Sequence, residues 1–350
     1  MKKKLFNVLF FFMVMGLTAV VIYRNHDIGQ VMTAVHSANK LWLVPAALSA
    51  FLFVFCECVM IRGLLRLLGH KVGLLRCLSY SFIGYFYSGI TPSASGGQPM
   101  QLYYMQKDGN GLSDSSVVLL TVAFFSRLVL SVIGVALLLF CHGMLTEYFQ
   151  GYFFVYWLGL ILNTLIAAAI FAVMALPQLV RRVAGYAERL MVRLHVIKRS
   201  EERLEKMEEI IDGYQGAVRF MARHRKKAVQ LFCFTFFQRV TLYVLTWFVY
   251  RSFGLGTDSF WRVVLLQAAI YVSVEMLPLP GSQGITELLY HNIFGAVFGA
   301  MLTPSMLVVR GLDFYMLMII GAVFSALRFF RVRKAEPRGK DAAEPCRKNS

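Results

Sequence analysis

Apolar residues come in blocks of about twenty, the length a helix needs to cross roughly 30 Å of hydrocarbon. Two of these blocks are interrupted by residues that lipid does not tolerate. The first interruption is Gly89-Ile-Thr-Pro-Ser-Ala-Ser-Gly-Gly-Gln-Pro99. Two prolines and three glycines there weaken or remove helical hydrogen bonds, and Thr91, Ser93, Ser95 and Gln98 add polar groups. The second is Leu277-Pro-Leu-Pro-Gly-Ser-Gln-Gly-Ile-Thr-Glu287. Non-helical backbone at membrane depth is stable only inside protein or along a wet cavity, because hydrocarbon offers no partner for its N–H and C=O groups. The expected fold class is therefore all-α: a polytopic membrane protein built around two broken helices.

Apolar segments fall at 5–23, 41–61, 78–90, 117–141, 153–175, 228–250, 263–277, 288–301 and 305–327. Net charge is +17, and the question it raises is how the cations sort across the membrane. Arg62, Arg66, Lys71 and Arg76 occupy one loop, thirteen Lys and Arg fall in 178–227, and the tail from Arg328 is basic. His142–Gln150 and Ser252–Phe260 contain none. The basic stretches are expected on the cytoplasmic side, with both termini. That sorting is met by about six full spans and two re-entrant hairpins, 78–107 and 263–301, entering from opposite sides. Each hairpin is flanked by two spans, the order of an inverted-topology repeat, whose broken helices mark a midplane site. The first segment is expected to stay as a helix rather than be removed as a leader, since its apolar run exceeds a signal-peptide core. The membrane domain spans 1–334, with 178–227 a basic, amphipathic helical insertion and 335–350 a disordered tail.

Intramembrane charge is costly and belongs to bundle interiors. Arg127, Arg239 and Arg310 lie within apolar segments, with Asp313 one helical turn after Arg310; Glu57, Glu275 and Glu287 are the acidic members. One reading is structural: ion pairs of Arg310 with Asp313, and of Arg239 with Glu57 or Glu275. The other is functional, because a guanidinium in a polar cavity matches a phosphate. Glu57 carries less weight, being near its helix end, whereas Glu287, closing the second interruption, is placed either to orient an arginine or to meet a cationic headgroup. The candidate headgroup cavity thus comprises Thr91, Pro92, Ser93, Ser95, Gly96, Gly97, Gln98, Pro99, Arg127, Arg239, Pro280, Gly281, Gly284, Glu287, Arg310 and Asp313. No catalytic residue, metal site or cofactor is expected: no nucleophile elbow, P-loop or His-Glu-x-x-His motif occurs, and the seven histidines lack ligand spacing. The six cysteines are scattered and read as small apolar packing residues.

Thr91–Pro99, the mid-span Arg127, Pro280–Glu287 and Arg310 together resemble the membrane domain of lysylphosphatidylglycerol synthases, the membrane part of bacterial multiple peptide resistance factors. The resemblance extends over roughly residues 5–330, and Ser282 stands where the family usually has a second glycine. It implies a flippase-like protein of the bacterial cell membrane, handling an anionic or lysyl-modified phospholipid such as lysylphosphatidylglycerol. Such handling is tied to envelope charge and to resistance against cationic antimicrobial peptides. In full-length members a soluble domain transfers lysine from tRNA to phosphatidylglycerol, and that domain is not expected here. Two alternatives stay open: the lysyltransferase of the family name, and a non-transporting membrane partner of a lipid or envelope-glycan enzyme docking through 178–227. The expected partners are membrane phospholipids, with a homo-oligomer or a separate lipid-modifying enzyme open and no nucleic acid.

Overall fold

A computed structural model describes residues 28–91, 94–176, 178, 182, 225–277 and 279–335. The expected first helix at 5–23, nearly all of the 178–227 insertion, the tail beyond Ala335, and Pro92 and Ser93 lie outside the described residues. All regular structure among the described residues is helical: α1 (Ile28–Ser37), α2 (Lys40–Leu67), α3 (Leu74–Gly89), α4 (Gly97–Lys107), α5 (Leu112–Phe140), α6 (His142–Phe149), α7 (Phe153–Ala175), α8 (Arg225–Ser252), α9 (Phe260–Val274), α10 (Ile285–Phe298), α11 (Leu302–Arg310) and α12 (Leu317–Ala335). Five helical stretches there are long and apolar enough to cross a membrane: Lys40–Leu67, Leu112–Phe140, His142–Ala175, Arg225–Ser252 and Ile285–Arg331. Two boundaries differ from expectation. His142–Gln150, expected as a connection, forms α6, whose Leu145 and Phe149 are fully buried. The last span begins earlier than Ser305 and contains a π-helical turn, Gly311–Met316.

Long antiparallel contacts make the frame. Along α2 and α8, Asn39 N–H donates to the Ser252 carbonyl at 2.7 Å, Trp42 stacks on Phe248, and Gln238 donates to the Phe53 carbonyl at 2.9 Å. The first hairpin, α3 with α4, has both feet at the α2 C-terminus. Helix α2 ends there on Gly69, at φ +90°, with His70 N–H closing onto the Leu65 carbonyl at 3.0 Å. Gly109, at φ +87°, closes α4 in the same way, through Asn110 N–H to the Met105 carbonyl. His70 then meets Asp114 at 2.6 Å, while Asp108 accepts from Tyr80 and Arg328.

The second hairpin, α9 with α10, has both feet at the other end of the bundle, where Phe260 packs on Trp247 and Phe298 packs on Tyr250. The two hairpins therefore enter from opposite ends of the bundle. α3 lies along α12 with Phe82 stacked on Phe324 at 5.1 Å. A Cβ on Gly321 would stand 2.6 Å from the Phe82 carbonyl oxygen, so only glycine permits that approach. α7 braces α5 and α9 through Gly159 and Asn163. Cys56, Cys58 and Cys77 are buried as expected of packing residues, but Cys233 is exposed.

Candidate functional site

Helix α3 stops at Gly89 and α4 starts at Gly97, so the first interruption is shorter than Gly89–Pro99. Pro99 sits in the first turn of α4, where its missing N–H has no intrahelical partner to lose, and it breaks nothing. Thr91 ties the turn together: its hydroxyl donates to the Tyr87 carbonyl at 2.7 Å and accepts from Gly96 N–H at 2.8 Å. Gly97 lets α4 fold back on α3, since a Cβ there would lie 2.6 Å from the Gly84 carbonyl oxygen. Gly84 leaves the notch occupied by the Gln101 side chain, which donates to Glu57 at 2.7 Å.

In the second interruption, Pro280–Ser282 forms a single 3-10 turn and Gly284 precedes α10. Gly281, Ser282 and Gly284 all have positive φ, as does Ala94 in the first interruption. A non-glycine residue held there costs about 1–3 kcal/mol, and such strain clusters at functional sites. Ser282 offsets part of it by donating its hydroxyl to the Val274 carbonyl at 2.7 Å. The left-handed backbone at 282 is the physical reason a glycine would suit this position. Gly284 N–H donates to Glu287 at 2.6 Å, and the other Glu287 oxygen accepts from Arg310 Nε at 2.7 Å.

The two tips meet. One cavity of about 250 Å³ is lined by Gly89, Ala94 and Gln98 from the first interruption and by Leu279, Gly281 and Ser282 from the second. Arg127, Arg239 and Arg310 line it too, opposite Glu57, Glu275 and Asp313. Glu275 is the hub: Arg127 Nη1 reaches it at 2.9 Å, and Arg239 grips it through Nη1 at 2.8 Å and Nη2 at 3.0 Å. Arg127 Nη1 also donates to Asn163 at 3.3 Å, and Arg239 donates to Ser126. Arg310 adds a contact to the Gly281 carbonyl at 3.2 Å and covers the Phe314 ring at 4.7 Å. Asp313, 3% exposed, accepts from Tyr271 at 2.7 Å through Oδ2, whereas Oδ1 has no hydrogen-bond partner and stands 3.9 Å from Arg310.

The expected site residues thus divide. Gln98, Arg127, Arg239, Gly281, Arg310 and Asp313 line the cavity, and Glu287 positions Arg310 from behind. Thr91, Ser95, Gly96, Gly97, Pro99 and Gly284 do not line it, and those with contacts described above shape the turns; the Pro280 side chain, like Pro92 and Ser93, lies outside what the structure describes. Of the expected ion pairs, Arg239–Glu275 forms at hydrogen-bond distance, while Glu57, the alternative partner, accepts from Gln101 instead. Arg310 pairs with Asp313 at 3.9 Å as expected, and meets Glu287 more closely, at 2.7 Å. Glu57, given less weight for its position along α2, faces the cavity because Gly84 admits Gln101 to it. Glu275, Gln101, Ser126, Tyr85 and Tyr271 were absent from the expected site. A signal for Glu275 was present in the sequence, as a carboxylate abutting a helix break. Among the described residues no group of His, Cys, Asp and Glu is arranged to hold a metal ion.

The family described as lysylphosphatidylglycerol synthase TM region matches residues 5–321. The chain belongs to that family. It is also similar to a UPF0104 membrane protein of Archaeoglobus fulgidus, 21% identical over 286 residues, covering 78% of this chain and 83% of the relative. Family membership and the five long apolar helices together make this an integral membrane protein of the lysylphosphatidylglycerol synthase TM type.

Proposed function

We propose that the protein is a flippase-like handler of phospholipids, and that the headgroup occupies the cavity between the two hairpin tips. The observation that carries this reading is the cavity's lining: two interrupted helices entering from opposite ends and three guanidiniums facing three carboxylates. A polar recess of this kind inside an apolar bundle suits a charged headgroup whose acyl tails stay in hydrocarbon.

The charge pattern refines the substrate. Each arginine already has a carboxylate partner, Glu275 for Arg127 and Arg239 and Glu287 for Arg310. A bare phosphate would have to compete with them, whereas Asp313 Oδ1 and Glu57 offer acceptors to a cation. A headgroup bearing both a phosphate and an ammonium, such as a lysyl-modified phosphatidylglycerol, matches both signs. With purified protein in nanodiscs, Asp313→Asn should weaken retention of lysylphosphatidylglycerol about tenfold, the typical loss for a charge-assisted hydrogen bond. It should leave unmodified phosphatidylglycerol unchanged, while Arg127→Ala lowers both. Equal retention of both lipids in all three proteins, at equal stability, would remove the basis for this site.

The same reading places the protein in the bacterial cell membrane. The α2–α3 loop with Lys71 and the start of α8 are cytoplasmic, and the α8–α9 loop with Thr257 is external. In a cysteine-free background, Lys71→Cys should react with an impermeant thiol reagent only in opened cells and Thr257→Cys in intact ones. Labelling of both from the same side would rule out this orientation.

A further inference from the structure

We propose a second, separate lipid site: a groove between α2, α5 and α8 that holds one acyl chain of an anionic phospholipid, with its head at Lys227. The groove has a volume of about 560 Å³ and is bounded by the last third of α2 and the first thirds of α5 and α8. Its walls are apolar, Leu64 and Phe234 among them, and no acidic residue lines it. In both size and lining it falls in the range of ligand pockets, and in sign it differs from the central cavity with its balanced charges.

Three observations point to an occupant. First, Gly63 faces the groove, and a Cβ added there would meet nothing within 4 Å. Glycine weakens a mid-helix position, and no neighbouring atom here requires one, so the space beside it is open rather than filled by packing. Second, Thr121 is 1% exposed and lines the groove, yet its hydroxyl has no hydrogen-bond partner. Buried hydroxyls are normally satisfied, and an ester carbonyl of a bound lipid would accept from it. Third, Lys227 and Gln230 are exposed where α8 begins, immediately after Arg225 and Lys226. An ammonium above an apolar trough complements a phosphate whose tail lies in that trough, and long lysine stems bridge the two environments.

The full chain would be purified in mild detergent and incubated with phosphatidylglycerol and phosphatidylcholine of equal chain length, and bound lipids counted by native mass spectrometry. Wild type should carry one phosphatidylglycerol more than Gly63→Leu, whose Cβ meets no protein atom within 4 Å and whose side chain takes up groove space. Lys227→Gln, on the surface, should weaken that binding about fivefold, the share of one well-placed cation at an anionic head. It should also abolish the preference over phosphatidylcholine. Arg127→Ala should leave the groove lipid in place, which separates this site from the central cavity. An unchanged lipid count in Gly63→Leu and Lys227→Gln, with elution and melting as in wild type, would overturn the proposal. So would a free fatty acid, or residues of 178–224, found in the groove in place of phospholipid.

Discussion

Replacing Glu275 with alanine should destabilise the protein by about 3–5 kcal/mol, the usual result of removing one partner from a buried ion pair. Arg127 and Arg239 both end on Glu275, and their side chains are only 15% and 6% exposed. Without the carboxylate, two guanidiniums face each other across a low-dielectric cavity. Arg239 keeps Ser126 and Arg127 keeps Asn163, and neither partner carries charge. Glu275→Gln, which retains an acceptor, should lie between alanine and wild type. Detergent-solubilised thermal unfolding, followed by tryptophan fluorescence or size-exclusion elution, measures both. A melting temperature within a degree or two of wild type for Glu275→Ala would mean that the arginines are solvated in the cavity and the triad is not structural. If the triad holds, a double substitution of Glu275 and Arg239 should recover part of the loss, because the two are in direct contact and their effects are not additive.

The second large effect is expected at Gly159. A Cβ there would stand 2.4 Å from the carbonyl oxygens of both Val272 and Ser273, so α7 and α9 are in backbone contact. Small residues allow this approach between membrane helices, where van der Waals packing and interhelical hydrogen bonds replace the hydrophobic effect as the driving force. The contact is locked by Asn163 one turn later, which donates to the Gly159 carbonyl at 2.9 Å and to the Val272 carbonyl at 3.2 Å. Its oxygen then accepts from Arg127. Gly159→Val must push α9 away, at a packing cost of about 1–3 kcal/mol or more, and should misplace Glu275 at the end of α9. Thermal stability and Arg127-dependent lipid retention should fall together. A Gly159→Val protein with wild-type melting and retention would show that α9 does not depend on this contact for its position.

Much of the frame was legible without coordinates because lipid imposes a strict rule on backbone hydrogen bonding. Two proline- and glycine-rich breaks in apolar segments had to be sheltered, and loop cations ordered them as hairpins with opposite entry. Arg127, Arg239 and Arg310 stood out because charge inside apolar segments is expensive. The boundaries were less legible. Pro99 and Gly97 look like breakers but belong to the first turn of α4, where a missing or unpaired N–H is harmless. Glu57 looked peripheral from its place along α2, since its role depends on a notch at Gly84 contributed by another helix.

The chain's own chemistry, then, determined that two interrupted helices and several buried charges had to share the interior of an all-α membrane protein. Local sequence carries that message because an unsatisfied peptide group or an isolated guanidinium is costly wherever hydrocarbon surrounds it. Only the tertiary structure decided which carboxylate each arginine meets. Glu275 at the end of α9 collects Arg127 from α5 and Arg239 from α8, and Arg310 adds Glu287, its closer partner, to Asp313. Those choices depend on helix-to-helix distances set by Gly159, Gly84 and Gly321, contacts between residues far apart in the chain that no local pattern encodes.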